Sequence, residues 1–147
     1  TAYRRQRQMC IRDRGVADYM ERVVEEAKKN GYVETLFGRR RYLPELASSN
    51  FNMRAFGERV ARNMPIQGTA ADIIKIAMVH VRNRLKAEKL DAKLILQVHD
   101  ELIVECPEAE SDTVKKILEE EMANAMQLSV PMLAEAGSGK SWYQAKG

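Results

Sequence analysis

Thiol and imidazole side chains are scarce in this chain. It has two cysteines, Cys10 and Cys106, far apart and with no CxxC pair, and only two histidines. That argues against a disulfide framework and against a zinc site. Long apolar runs are absent as well. None approaches the roughly 18 residues that a membrane span needs, and the basic N-terminus has no apolar stretch of the signal-peptide kind, so the chain reads as cytosolic. There is no internal repeat, linker or low-complexity tract.

What is present suffices for one domain or a piece of a larger one, since 45% of the 147 residues are hydrophobic. The net charge of +3 conceals an uneven distribution. Residues 1–14 carry five Arg against one Asp, and residues 15–38 three basic against five acidic. Residues 39–90 carry eleven basic against four acidic, whereas residues 91–147 carry five basic against eleven acidic. A basic middle beside an acidic end suits a surface that holds a polyanion next to a cation site. A solvated helical face accounts for the same counts.

The stretch Lys93-Leu-Ile-Leu-Gln-Val-His-Asp-Glu-Leu-Ile-Val-Glu105 alternates apolar and polar residues in two short runs, the period-2 mark of two half-buried strands. Strict alternation puts Leu94, Leu96 and Val98 on one face and Ile95, Gln97 and His99 on the other. Between the runs sit His99, Asp100 and Glu101, so the expected object is a tight antiparallel hairpin with two carboxylates at its tip. Like charges about 4 Å apart repel by roughly 4 kcal/mol at a protein surface, which favours a cation nearby. Oxygen-only donors suit Mg²⁺ or Mn²⁺. An ordinary solvated Asp-Glu turn is the competing reading.

Along the rest of the chain, residues 1–14 show no sustained period and read as a basic arm or as a segment foreign to the domain. From Gly15, the residues Val16, Tyr19, Met20, Val23, Val24 and Ala27 recur at helical spacing up to a stop at Gly31. Tyr32–Pro44 reads as a small hairpin with Arg39, Arg40 and Arg41 at its tip, either gripping phosphate or solvated. Ser48-Ser49-Asn50 can cap a helix to about Met64, where Pro65 interrupts it. Arg59 and Asn63, four residues apart, share a face of that helix, and Gln67 follows the proline. A second helix is expected from Thr69, paired with Asp72 as a capping box, with Ala70, Ile73, Ile74, Ala77, Met78, Val81 and Leu85 as its buried stripe. His80 lies beside the stripe as a structural residue. Ser111 can cap a further helix with Val114, Ile117, Leu118, Met122 and Ala125 inward, and Val130–Ala134 reads as a last strand.

Two motifs are decoys. Ala134–Ser141 matches a permissive phosphate-loop pattern, but the six residues that follow cannot supply the helix such a loop needs. His99-Asp100 resembles the metal pair of HD phosphohydrolases, whose helical fold uses several further histidines.

Three motifs in order carry a specific resemblance: Gly31-Tyr-Val-Glu-Thr-Leu-Phe-Gly-Arg-Arg-Arg-Tyr-Leu-Pro44, Arg59-x-x-x-Asn-x-Pro-x-Gln-Gly-Thr-Ala-Ala-Asp-Ile-Ile-Lys75, and Gln97-Val-His-Asp-Glu-Leu-Ile-Val-Glu105. From about Gly15 to Trp142 the chain resembles the C-terminal end of a family A DNA polymerase, the bacterial polymerase I type. The resemblance implies an α+β fold: part of a polymerase palm, with the hairpin and last strand in an antiparallel sheet, helices near 67–88 and 111–127 packed on it, and adjoining fingers helices. It implies that Asp100 binds the catalytic Mg²⁺ ions (Mn²⁺ being possible), that Glu101 is the adjoining metal-site acid, and that His99 lies near the primer end. Arg59, Asn63 and Gln67 then touch the minor groove of the primer-template DNA.

The implied activity is DNA-directed DNA polymerisation from dNTPs by two metals, in replication and repair. The family's first metal-binding aspartate and its Lys- and Tyr-bearing nucleotide helix have no counterpart in these residues, nor do the nuclease domains. A fragment that is inactive alone is therefore expected, with most of the dNTP site elsewhere. A sheet lacking its neighbour should also leave the chain marginal or self-associating. Residues 1–14 depart from the family's pattern and are expected to be a joined-on leader, apart from the fragment at 15–147. A non-catalytic DNA-binding module is the alternative function.

Overall fold

The computed structural model describes the backbone of residues 2–146 and the side chains of residues 14–146. In chain order it contains helix α1 (Ala2–Asn30), strands β1 (Tyr32–Glu34) and β2 (Arg40–Tyr42), a 3-10 turn at Pro44–Ala47 and the long helix α2 (Phe51–Ala87). Strands β3 (Lys93–Val98) and β4 (Glu101–Glu105), a 3-10 turn at Glu108–Glu110, helix α3 (Ser111–Ala123) and the short helix α4 (Trp142–Ala145) follow. The architecture is α+β, with two separate two-stranded antiparallel sheets. The chain divides into two compact units, one up to Thr69 and one from Ala70 onward.

In the first unit the backbone is helical through residues 2–14, where periodicity gave no element; the side chains of the basic leader before Arg14 lie outside the described residues. Helix α1 stops where expected. Gly31 takes φ 78°, which only glycine adopts freely, and its N–H closes on the Ala27 carbonyl at 2.8 Å. Val23, Val24 and Ala27 of α1 meet Val33, Leu43, Leu46 and Ala61 in a buried cluster, with Tyr19, Val60 and Met64 at its margin. Val16, expected on the same stripe, is exposed. Lys28 of α1 also pairs with Glu58 of α2 at 2.6 Å.

Helix α2 begins as read. Asn50 Oδ1 accepts the backbone N–H groups of Asn52 at 2.8 Å and Met53 at 3.4 Å. It does not end at Pro65. The helix runs through the proline to Ala87, so the two helices expected here are one. Thr69 is therefore no N-cap. It sits inside the helix, buried, and its hydroxyl donates to the Pro65 carbonyl and accepts the Leu36 N–H at 3.0 Å. A proline removes one ladder bond, and here helical residues on both sides and a tertiary partner keep the turn in place.

In the second unit Val81 and Leu85 of α2 pack with Val114 and Ile117 of α3, and Leu90, Ala92, Leu102, Val104, Cys106 and Leu118 close the edges. Ser111 is the first residue of α3 and its side chain caps nothing; the residue at the N-cap position is Glu110. Strands β3 and β4 pair antiparallel, but strict alternation fails at Ile95. Leu94 opposes Val104 while Leu96 opposes Ile103, so Ile95 is an extra residue in a β-bulge. Leu94 and Leu96 consequently face opposite sides. Leu102 and Val104 lie on the core side, whereas Ile95 and Leu96 remain 55% and 45% exposed.

The last strand is not formed. Residues 130–134 have no regular structure, and Val130 and Leu133 are 62% and 88% exposed. Pro131 has no N–H to give a ladder, and the segment joins neither of the two-stranded sheets.

Candidate functional site

The first unit presents a row of donors. Arg59, Asn63 and Gln67 stand at intervals of four on α2, which puts them on one helical face, and all three are exposed. With Arg41, Phe56, Val60, Met64 and Gly68 they line a groove of about 450 Å³. The continuity of α2 through Pro65 brings Gln67 into line with the other two; a break there would have removed it from the face.

The arginine triplet divides its work. Only Arg39 belongs to the turn of the small hairpin; Arg40 and Arg41 are strand residues of β2. Arg39 Nη2 donates to the Gly68 carbonyl at 3.1 Å. Arg40 pairs with Glu34 and lies 4.4 Å from the Tyr32 ring centroid, and the hydrogen bond to Glu34 raises its pKa. Arg41 is the one that reaches the groove.

The second unit carries the acids. Val98 pairs with Glu101, leaving His99 and Asp100 as a two-residue turn. His99 takes φ 52°, a conformation that such turns usually give to glycine at this position. A histidine held there marks a constrained tip. Asp100 is exposed at its end.

Glu101 is placed differently from its neighbour. Its Oε1 lies 2.8 Å from Lys146 Nζ, and its Oε2 is buried without a hydrogen-bond partner among the described residues. The bond from Lys146 holds its pKa below the usual carboxylate range. The two acids read together as metal ligands thus differ in availability: Asp100 has its carboxylate in solvent, while Glu101 is committed to a lysine. No group of three or more His, Cys, Asp or Glu side chains able to hold a metal exists among the described residues. His80, expected to be structural, is exposed on α2 with Nδ1 3.8 Å from Glu121 Oε2.

Sequence reasoning missed Lys146 and the tertiary role of Thr69. Nothing in local spacing points to Lys146, since its partner lies on a distant hairpin.

The first unit thus carries a helical face of guanidinium and amide donors, and the second a hairpin tip ending in an exposed carboxylate. The comparisons with known proteins give the family. The chain matches the family model described as DNA polymerase family A over residues 6–144. It is 55% identical over 132 residues to DNA polymerase I of Bacillus subtilis, covering 90% of this chain and 15% of that protein. It is 53% identical over 131 residues to the thermostable DNA polymerase I of Thermus filiformis, covering 89% of this chain and 16% of that one. Among solved structures, the POL domain of Pol1 from M. smegmatis, in complex with DNA primer-template and dNTP, matches with TM-score 0.87 and 49% identity, over 90% of this chain and 24% of that chain. The chain belongs to DNA polymerase family A. It spans about 15% of the length of the curated relatives it matches.

Proposed function

We propose that this chain serves DNA-directed DNA polymerisation by holding the growing end of the primer-template duplex and supplying one carboxylate to the metal site. The observation that carries the reading is the groove in which Arg59, Asn63 and Gln67 share one exposed helical face. Every Watson-Crick pair offers an acceptor at purine N3 or pyrimidine O2 in the minor groove, so a row of donors can test pair shape without reading sequence. Copying requires that indifference. In the same reading Arg41 adds positive charge for the backbone.

Asp100, exposed on a constrained turn, fits Mg²⁺ or Mn²⁺, hard cations that take carboxylate oxygens together with water and substrate phosphates. When bound, such a pair of ions activates the primer hydroxyl and stabilises the leaving pyrophosphate. His99 sits beside the primer end, and Glu101 is the adjoining acid. The remaining donors and most of the dNTP site come from outside these residues. The domain division that accompanies this reading is a polymerase end at 15–147 and a separate basic leader at 1–14, although α1 runs through that boundary.

The test is binding and primer extension with the purified chain and a primed duplex. Duplex binding without extension is expected, with affinity similar across sequences. Arg59→Ala combined with Gln67→Ala should weaken binding by about tenfold or more, in line with roughly 1–3 kcal/mol for a lost charged groove contact. Unchanged affinity in the double variant would overturn the reading.

A further inference from the structure

Lys146 is the feature that neither the resemblance nor the groove explains. Its Nζ lies 2.8 Å from Glu101 Oε1 and 5.7 Å from the Trp142 ring centroid. The segment that delivers it is built for close approach. A Cβ on Gly137 would come 2.0 Å from the Ala145 carbonyl oxygen, and one on Gly139 would come 2.7 Å from the Ala145 nitrogen. Those distances exclude any side chain, so the Gly-Ser-Gly stretch is wrapped onto the backbone of α4. Ser141 caps α4, its Oγ accepting the Gln144 N–H at 3.4 Å, and Lys140 N donates to Gln144 Oε1 at 3.0 Å. The loop resembling a phosphate site is, in this fold, a collar around the turn that presents Lys146.

We infer that Lys146 is a positioning residue that reserves Glu101, so that of the adjacent acids Asp100 and Glu101 only Asp100 is offered to the metal. This rests on the metal-site reading above. Two adjacent carboxylates on one turn are an ambiguous ligand set, since a divalent ion can take either or bridge both. A lysine ammonium on Glu101 Oε1, with Oε2 buried, removes that choice. The fixed cation also opposes a second positive charge close by, so the site binds metal more weakly than two free carboxylates would and depends on substrate phosphates to complete it.

The test is an EPR titration of Mn²⁺ with the full chain, alongside emission of Trp142, the only tryptophan. Lys146→Met keeps the apolar stem and removes the charge. It should tighten Mn²⁺ binding by about fivefold or more, as expected for deleting a unit charge roughly 7 Å from a divalent ion in a water-like dielectric. Quenching of Trp142 by neutral acrylamide, which reads accessibility and not the field of the nearby charge, should stay unchanged, and this separates a charge effect from undocking of α4. Lys146→Arg should restore the original affinity, and adding Glu101→Gln to Lys146→Met should cancel the gain. Equal or weaker Mn²⁺ binding in Lys146→Met with unchanged quenching would overturn the inference. So would markedly stronger acrylamide quenching, which would make Lys146 a docking residue only. Asp100→Ala tells the two proposals apart: if it leaves Mn²⁺ binding intact, the metal-site reading itself fails and the role of Lys146 falls with it.

Discussion

Thr69→Val is the sharpest test of how the donor groove is held in place. Valine has nearly the volume of threonine and keeps one methyl, so the substitution removes a hydroxyl and little else. That hydroxyl accepts the Leu36 N–H at 3.0 Å and donates to the Pro65 carbonyl. The carbonyl keeps its helical acceptor role without it. The Leu36 N–H loses its partner, at a cost of about 1–3 kcal/mol for an unsatisfied buried donor. The bond is only partly buried, so water recovers some of this and the lower half, about 1–2 kcal/mol, is expected. Urea unfolding followed by far-ultraviolet circular dichroism reads the effect. With an m value of roughly 1–2 kcal/mol per M, the midpoint should fall by about 1 M. Thr69→Ser, which keeps the hydroxyl, should recover most of the loss. A valine variant with the original midpoint, or a serine variant no better than valine, would refute the claim that this hydroxyl ties the β1–β2 turn to α2.

Two further outcomes follow from neighbouring geometry. Gly68→Ala would ordinarily stabilise a helix by about 1 kcal/mol. Here the added Cβ meets Thr35 Cγ2 at 2.7 Å, and Thr35 cannot swing away because its Oγ1 accepts the N–H groups of Phe37 and Arg39. The sign should therefore reverse, to a net loss of about 1–3 kcal/mol in the same urea assay, as overpacking costs; a stabilised variant would refute it. At the other end, Arg84 bonds Glu120, Glu121 and Glu88, joining α2 to α3. The bond to Arg84 holds the Glu120 carboxyl below its ordinary value of 4.5. A carboxylate depressed in the folded state adds stability above its unfolded pKa and loses it as pH falls through the folded one. The stability gap between the unaltered chain and Glu120→Gln should thus be present at neutral pH and close in acid below pH 4.5. A gap that is constant from pH 7 to pH 3 would refute the ion pair's contribution.

Much of this molecule was legible residue by residue. The stop at Gly31, the cap at Asn50, the buried stripe from Ile74 to Leu85 and a tight turn between the two runs of 93–105 each depend on a few neighbouring side chains and on backbone sterics, which a sequence states directly; that Glu101 belongs to β4 and not to the turn was not legible. Helical spacing likewise put Arg59 and Asn63 on one face. Features decided by residues far apart in the chain were not legible. Pro65 reads as a break from its own chemistry, yet the packed turns on both sides and the Leu36–Thr69 bond carry the helix through it, and that continuity aligns Gln67 with the other donors. The bulge at Ile95 arises from how β3 pairs with β4, since alternation alone predicts the opposite face for Leu96. Val130–Ala134 has strand composition but pairs with neither sheet, and composition alone does not bring a segment to an edge. Asp100 and Glu101 are chemically equivalent neighbours in sequence; the folded C-terminal turn makes them unequal by bringing Lys146 to one of them. Local periodicity and sterics determine which elements form, whereas partners distant in sequence, brought near only by packing, decide how far each element runs and which carboxylate stays free.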